Sequence, residues 1–257
     1  MNYKKIAEEL LRAEKECFQI PQISSNNPDM KIEDAYKIQL ETVEMKKASG
    51  EKIIGLKVGL TSKGVQKMLG VNEPDYGHLT DKMLLLEGQP CKIDELIQPK
   101  VEGELAFCLK KTLKGPGVTI ADVYNATSYV VPAIEIVDSR INNWKIKLED
   151  TIADNGSSAK FVLGSKMTLI EDIDMRLIGM TLEKNGELIS SGTGAEVLGN
   201  PAAAVAWLAN KLSEFGIELK AGSIVMSGSF TAMSVAEVGD VFTISFSGMG
   251  SINLKFC

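Results

Sequence analysis

VEGELAF, residues 101–107, sets Glu102 and Glu104 into a run of otherwise small or apolar residues. Read as a strand, its period of two sends both carboxylates to one side. Like charges side by side on a strand are unfavourable unless something compensates them. The same short apolar or alternating texture recurs from residue 80 onward, in LAFCLKK, SYVVPAIEIVDSR, AKFVLG, RLIGMTLEKNGELISSG, GSIVMSG, DVFTISFSG and SINLKF. Many short strands with few helices between them predict a strand-rich core, a barrel or a rolled sheet, in an α+β chain.

Upstream the pattern is helical. In residues 4–17, Ile6, Leu10, Leu11 and Ala13 recur at helical spacing, and in residues 33–48 Ala35, Ile38, Leu40 and Val43 do so more loosely. PQISSNNPDM between them reads as a loop. KIIGLKVGL (52–60) reads as a strand, followed by Thr61 or Ser62 as N-cap of a short helix that stops at Gly70. LEKNGELI carries Asn-Gly between two strand-like halves, a hairpin signal. One helix interrupts the later strands, PAAAVAWLANKLSEFG, with Pro201 in its first turn and Gly216 as its stop. No tandem repeat or low-complexity linker divides the chain. The expectation is one domain over 1–257, with a helical segment at 1–50 and a β-rich catalytic core at 51–257.

The 257 residues are 44% hydrophobic and 24% charged, enough apolar material for a substantial core. Formal charge is −6 with no basic run, which argues against a nucleic-acid partner. No apolar stretch has the roughly 18–20 residues of a membrane helix. MNYKKIAEELLRAEKECF is charged throughout and reads as an amphipathic helix, not a signal peptide. Cys17, Cys91, Cys108 and Cys257 are scattered, which suggests neither a zinc site nor a disulfide framework. A reducing cytoplasm is the expected compartment.

A third acid, Glu135 in VVPAIEIVDSR, shares its strand face with Ala133 and Val137. Three carboxylates in apolar strands are costly unless a positive charge meets them, and hard divalent cations take oxygen ligands. Spacing alone favours the plainer alternative, a half-exposed strand whose acids face water. Lys57, inside IIGLKVGL, is out of place without a partner or a task, although a snorkelling lysine would also fit. NEPDYGHLTD reads as a turn-rich loop carrying Asp75 beside Pro74. DTIADNGSSAKF reads as a polar loop presenting Asp154, Asn155, Gly156 and Ser157. His78, the only histidine, reads as a surface-loop residue. No GxGxxG or phosphate-loop motif is present, so nucleotide binding has no support.

GLKVGLTSKGVQKMLGVNEPDYGHLTD, QPKVEGELAF, VVPAIEIVDSRINNWKIKLEDTIADN, NPAAAVAWLANKL and GMGSINLKF together resemble the 2-keto-4-pentenoate hydratase family. That family includes 2-hydroxypenta-2,4-dienoate hydratases, 4-oxalocrotonate decarboxylases and 2-oxohept-3-ene-1,7-dioate hydratases, within the fumarylacetoacetase-like superfamily. The resemblance covers nearly the whole chain. It implies a fumarylacetoacetase-like mixed β-roll with an N-terminal helical segment. It implies a divalent ion, Mg²⁺ or Mn²⁺, on Glu102, Glu104 and Glu135. Lys57 matches the family's active-site lysine and Asp75 the acid of its Pro-Asp motif. Ser157 matches a serine near the substrate, and Ser229, in MSGSF, a hydroxyl position of the wider superfamily.

The implied substrate is a small 2-oxo or 2-hydroxy dienoate, from the breakdown of aromatic rings. The implied assembly is a homo-oligomer that can associate with a homologous decarboxylase or hydratase. Lys57 beside a cation is expected to have a lowered pKa, and Asp75 to orient or deprotonate the attacking water. QKMLGVNEPDYGHLTD and DSRINNWKIKLEDT resemble the hydratase branch, whereas the leucine of GLKVG is also seen among the decarboxylases and SGSFT among the dioate hydratases. Hydration of 2-hydroxypenta-2,4-dienoate to 4-hydroxy-2-oxopentanoate is the expected reaction. The alternatives are decarboxylation of 4-oxalocrotonate and hydration of a heptenedioate.

Overall fold

The computed structural model describes the backbone of residues 1–257 and all side chains except those at positions 68 and 69. The chain opens with α1 (Tyr3–Glu16), α2 (Ile23–Asn26) and α3 (Ile32–Ala48), then β1 (Ile53–Gly59), α4 (Lys63–Leu69) and β2 (Asp75–Thr80). Its middle carries β3 (Leu84–Leu85), β4 (Lys100–Leu109), α5 (Ile120–Ala126), β5 (Thr127–Val137), α6 (Leu148–Ala153) and β6 (Ser158–Leu163). The last part adds β7 (Gly179–Lys184), β8 (Glu187–Thr193), α7 (Pro201–Ser213), β9 (Ile224–Met226), β10 (Ser234–Val235), β11 (Val241–Phe246) and β12 (Gly250–Lys255).

Eight strands form a mixed, curled sheet in the order β2-β1-β9-β4-β5-β6-β3, with β10 paired to β4. The β1–β9 and β3–β6 pairs are parallel and the others antiparallel. A second sheet, β12-β11-β7-β8, is wholly antiparallel. The strand-rich mixed roll behind an N-terminal helical segment is therefore present as the sequence implies.

β4 is buried on both faces, and each face has its own neighbours. Val101, Leu105 and Phe107 join the main core with Met180 and Ile244 of the second sheet. On the other face Ala106 belongs to a smaller cluster with Leu79, Val131, Ala133, Phe161 and Met226. Glu102 and Glu104 continue that second face.

Local signals explain most boundaries. Asn2 caps α1, its side-chain oxygen accepting from the Lys5 N–H at 3.1 Å, and Ala7, Leu10 and Ala13 are buried. The Asn-Gly hairpin forms as expected: Asn185 and Gly186, at φ 56° and 83°, link β7 to β8. Asn200 caps α7 by accepting from Ala202 N–H at 2.9 Å, with Pro201 in the first turn. That helix ends at Ser213, a little before the expected stop at Gly216.

Four expectations are corrected. The supposed loop NEPDYGHLTD is strand from Asp75 to Thr80, and all six residues are buried. Packing overrides its turn-like composition: Tyr76 stacks on Tyr36 of α3 with ring centroids 4.5 Å apart. His78 consequently sits in that strand at 7% exposure, not in a surface loop. DTIADNGSSAKF is largely ordered structure, the end of α6 followed by a tight turn at Asn155–Ser157. α5 and α6 are two further helices among the later strands. The sequence signal for α5 is a Thr-x-x-Asp box: Asp122 Oδ2 accepts from Thr119 N–H at 2.8 Å, and Thr119 Oγ1 accepts from Asp122 N–H at 3.3 Å.

No helix among the described residues is long and apolar enough to cross a membrane.

Candidate active site

Strand register brings the predicted acids together. Glu102 of β4 stands directly opposite Glu135 of β5, and Glu104 opposite Ala133, so the three glutamates share one face. One carboxylate oxygen from each lies within 4.8 Å of the others. Lys57 joins them through β9: Lys57 is level with Met226, and Met226 with Ala106, on the same face of the sheet. Asp75 is paired with Gly59 at the end of β1, two residues past Lys57 and on that face too.

The cluster is dry. Glu135 is 0% exposed, Glu104 1%, Asp75 2% and Lys57 3%. Lys57 Nζ lies 3.5 Å from Glu135 Oε1, an ion pair without hydrogen-bond geometry, and neither Glu135 oxygen has a hydrogen-bond partner. Asp75 Oδ1 is also unpartnered. Glu104 Oε2 accepts the Gly228 N–H at 2.8 Å. Burial, followed by repulsion from Glu135, raises the pKa of the Glu102 and Glu104 carboxyls. Burial also raises that of Asp75, against the opposing pull of Lys57. At Lys57 burial favours the neutral amine, but Glu135, Asp75, Glu102 and Glu104 together outweigh it. With no cation among them, these carboxylates hold the lysine protonated.

Three buried acids and the half-buried Glu102 against one ammonium leave an uncompensated negative charge, and such a site is expensive without a further cation. Three converging carboxylates, two of whose oxygens accept no hydrogen bond, fit a hard divalent ion. Oxygen ligands alone do not separate Mg²⁺ from Mn²⁺.

Small residues make the crowding possible. A Cβ at Gly59 would lie 2.1 Å from Asp75 Oδ1, so any side chain there expels the carboxylate. Gly156, at φ +61°, lies over Lys57, where a Cβ would sit 3.2 Å from its Cε. The turn that carries Gly156 is held from below. Arg140 Nε meets Asp154 Oδ1 at 2.5 Å, and Arg140 N–H donates to Asp154 Oδ2 at 3.0 Å. Asp138 in turn accepts from the N–H groups of Ile97 and Gln98 at 2.8 and 2.6 Å. Asn155, Gly156 and Ser157 are all left-handed, with φ 57°, 61° and 52°. Consecutive unfavourable conformations of this kind persist only where surroundings impose them.

A cavity of about 770 Å³ opens onto the cluster and is lined by Lys57, Asp75, Glu102 and Ser157 among others. Ser157 therefore stands at the cavity wall. Ser229 does not line it: its hydroxyl donates to the Thr231 carbonyl at 2.7 Å, next to the Gly228 N–H that binds Glu104. His78 lies level with Leu56, on the face of β2 opposite Asp75. Sequence reasoning missed Gly59 and the pairing of Arg140 with Asp154, and named Asp154 and Gly156 only as members of a polar loop. Arg140 left a trace as an isolated guanidinium directly after an apolar strand.

Such a roll, with a carboxylate cluster and a lysine on one face of its main sheet beside a cavity, defines a class of proteins suited to holding a divalent ion next to a small ligand. Residues 72–256 match the family described as fumarylacetoacetate (FAA) hydrolase, C-terminal. A 2-hydroxyhexa-2,4-dienoate hydratase of Comamonas testosteroni is 49% identical over 91% of this chain and 89% of its own. A 2-hydroxypent-2,4-dienoate hydratase of Pseudomonas putida is 51% identical over 82% of this chain and 96% of its own. Among solved structures, the 4-oxalocrotonate decarboxylase of Pseudomonas putida G7, complexed with magnesium and adipate, is 39% identical. It superposes with a TM-score of 0.97 over 99% of this chain and 97% of that one. The chain belongs to the fumarylacetoacetate hydrolase family.

Proposed function

We propose that this protein is a divalent-metal-dependent hydro-lyase that adds water to 2-hydroxypenta-2,4-dienoate, giving 4-hydroxy-2-oxopentanoate. The observation that carries this reading is the largely buried Glu102–Glu104–Glu135 cluster, with Lys57 and Asp75 beside it at the wall of one cavity. The similarity to hydratases of short hydroxydienoates supports it. The three glutamates would hold Mg²⁺ or Mn²⁺, and a bound ion supplies Lewis acidity toward the oxygens of a 2-oxo acid. Lys57, 3.5 Å from Glu135, is placed to neutralise an enolate oxygen and to give or take a proton at the dienoate carbons. Asp75, with its raised pKa, is a competent base for the water that adds at C4. Ser157 is assigned to the substrate oxygens. Ser229 enters only through its turn, which aims the Gly228 N–H at Glu104.

The setting proposed for this reaction is the breakdown of aromatic-ring cleavage products, in the cytoplasm, by a single-domain chain assembled as a homo-oligomer. Leu188, Ile189, Val235 and Val238 are exposed apolar side chains that such an assembly, or a homologous decarboxylase, would cover. A second reading, decarboxylation of 4-oxalocrotonate, is favoured by the close superposition on a decarboxylase. A histidine-dependent hydrolysis is disfavoured because His78 faces away from the cluster.

Purified protein with Mg²⁺, given 2-hydroxypenta-2,4-dienoate and 4-oxalocrotonate in parallel, tests the proposal. The expected result is loss of dienoate absorbance with 4-hydroxy-2-oxopentanoate formed, abolished by Glu104→Gln in a protein that still folds. Release of CO₂ from 4-oxalocrotonate with no hydration would replace it by the second reading. Full activity after metal removal would overturn both.

A further inference from the structure

We propose that the part of the cavity beyond the acid cluster is built for an apolar substituent at the far end of the substrate and rejects a second carboxylate there. This rests on the reading of the site as one for 2-oxo or 2-hydroxy acids. Besides Lys57, Asp75, Glu102 and Ser157, and with the neutral polar Asn72 and Thr151, the wall carries the apolar Ile32, Val71, Trp144, Ile146, Leu148 and Met233. These come from four separate parts of the chain: the start of α3, the α4–β2 connection, the segment before and into α6, and the turn before β10. A volume of about 770 Å³ is large for an unsubstituted five-carbon acid and leaves room for a longer tail.

The charged groups of this region do not form a carboxylate receptor. Glu73 and Glu149 line the cavity, and Lys147 is the one cation there besides Lys57. Lys147 is an exposed side chain on the helix start that Asp150 caps. Lys211 approaches Glu73 at 3.5 Å but is closer to Glu214, at 3.1 Å. Three carboxylates thus stand against two ammonium groups. A guanidinium, the usual bidentate partner of a carboxylate, is absent from the wall among the described residues. Arg140 is committed to Asp154, Arg12 sits over the Phe18 ring, and Arg176 lies in the turn after Asp174. Lys100 stacks on Trp144, 4.2 Å from the ring centroid, and lines a different cavity. A second carboxylate would lose its water against Ile146, Leu148 and Val71 without a fork to receive it. A methylene in the same place gains roughly fourfold in affinity.

The test is calorimetric titration of the Mg²⁺-loaded protein with saturated 2-oxo acids, which bind without being hydrated. 2-Oxohexanoate and 2-oxohexanedioate are matched in length and differ only in the end group. The expected result is binding of 2-oxohexanoate at least tenfold tighter than the diacid, and roughly fourfold tighter than 2-oxopentanoate. Leu148→Arg should narrow or reverse the first ratio. Ile146→Arg provides the same readout should Leu148→Arg fail to fold. Equal or tighter binding of the diacid by the parent protein overturns this proposal and leaves the 2-oxo acid reading intact. Binding of neither compound overturns both. An unchanged ratio in the folded arginine variants overturns the assignment of this wall.

Discussion

Replacing Glu135 by glutamine should make the metal-free protein more stable and the metal-loaded protein less so. Glu135 is fully buried, with both oxygens unpartnered and Glu102 directly across the ladder. At an effective dielectric constant near 20, each repulsion across at most 4.8 Å costs at least ~3.5 kcal/mol. Two such repulsions, from Glu102 and Glu104, therefore amount to ~7 kcal/mol when all three acids are ionised. The attraction lost with Lys57 at 3.5 Å is ~4.7 kcal/mol on the same scale. The balance favours the variant by ~2 kcal/mol, or roughly 4–8 °C in Tm for a chain of this size. Saturating metal at a thousandfold excess over Kd adds ~4 kcal/mol to the parent, and far less to a variant missing one ligand. Thermal melts at pH 8.5, in EDTA and in excess Mg²⁺, should therefore cross: variant above parent in EDTA, parent above variant in Mg²⁺. A variant less stable in EDTA and equally stabilised by Mg²⁺ would show that Glu135 is a structural acid and not a ligand.

Other perturbations separate the remaining roles. Lys57→Gln should lower turnover by roughly 10²–10⁴-fold while Mg²⁺ still raises Tm, because it removes a proton donor and no ligand; unchanged turnover would remove Lys57 from the chemistry. Gly59→Ala should cost activity about as heavily as loss of Asp75 itself, since its Cβ would fall 2.1 Å from Asp75 Oδ1; comparison with Asp75→Asn checks this, and a fully active Gly59→Ala refutes it. His78 supplies a pH dependence. Burial lowers its pKa from 6.5 to about 4. The unfolded chain then takes up the proton first as pH falls, so the stability due to neutral His78 is complete above 6.5 and drains away toward pH 4. The loss totals ~3 kcal/mol at 1.36 kcal/mol per pH unit. His78→Leu should flatten the stability profile over that window, and parallel profiles would contradict the burial argument.

What could be read from the sequence was whatever depends on short-range pattern. Period two in VEGELAF and in AIEIV put each acid on a definable strand face, and Lys57 stood out as a charge in an apolar run. The pairing of Glu102 with Glu135 depends on a register between strands with a helix between them, which local pattern does not carry. β2 misled for a related reason. Pro74, Asp75 and Gly77 have turn chemistry, but Gln39 of α3 donates to the carbonyls of Tyr76 and Ile152 at 2.9 and 2.8 Å and ties that stretch into the body of the molecule. Gly59 was illegible in principle, because its contribution is the space that a side chain would have filled.

The site also dictates how metal and proton compete. β4 is fixed by its ladder to β5 and by the second sheet packed behind Val101, Leu105 and Phe107. Backbone movement therefore cannot relieve the crowding of Glu102, Glu104 and Glu135. Two ways of relieving it remain, binding a cation or binding protons, and the raised pKa values of Glu102 and Glu104 mark the second. In metal-free protein these acids hold protons that the unfolded chain would release, so stability should fall as pH rises above the ordinary carboxyl value of 4.5. With metal the dependence inverts, because ionised carboxylates are what the ion requires and each proton must leave before it binds. Mg²⁺ affinity should accordingly rise with pH through neutrality, and binding should release protons into the buffer. Titrations at pH 6, 7 and 8 in buffers of different ionisation enthalpy measure both quantities. Affinity independent of pH, with no proton released, would mean that the three glutamates are already ionised in the empty site and that Lys57 alone balances them.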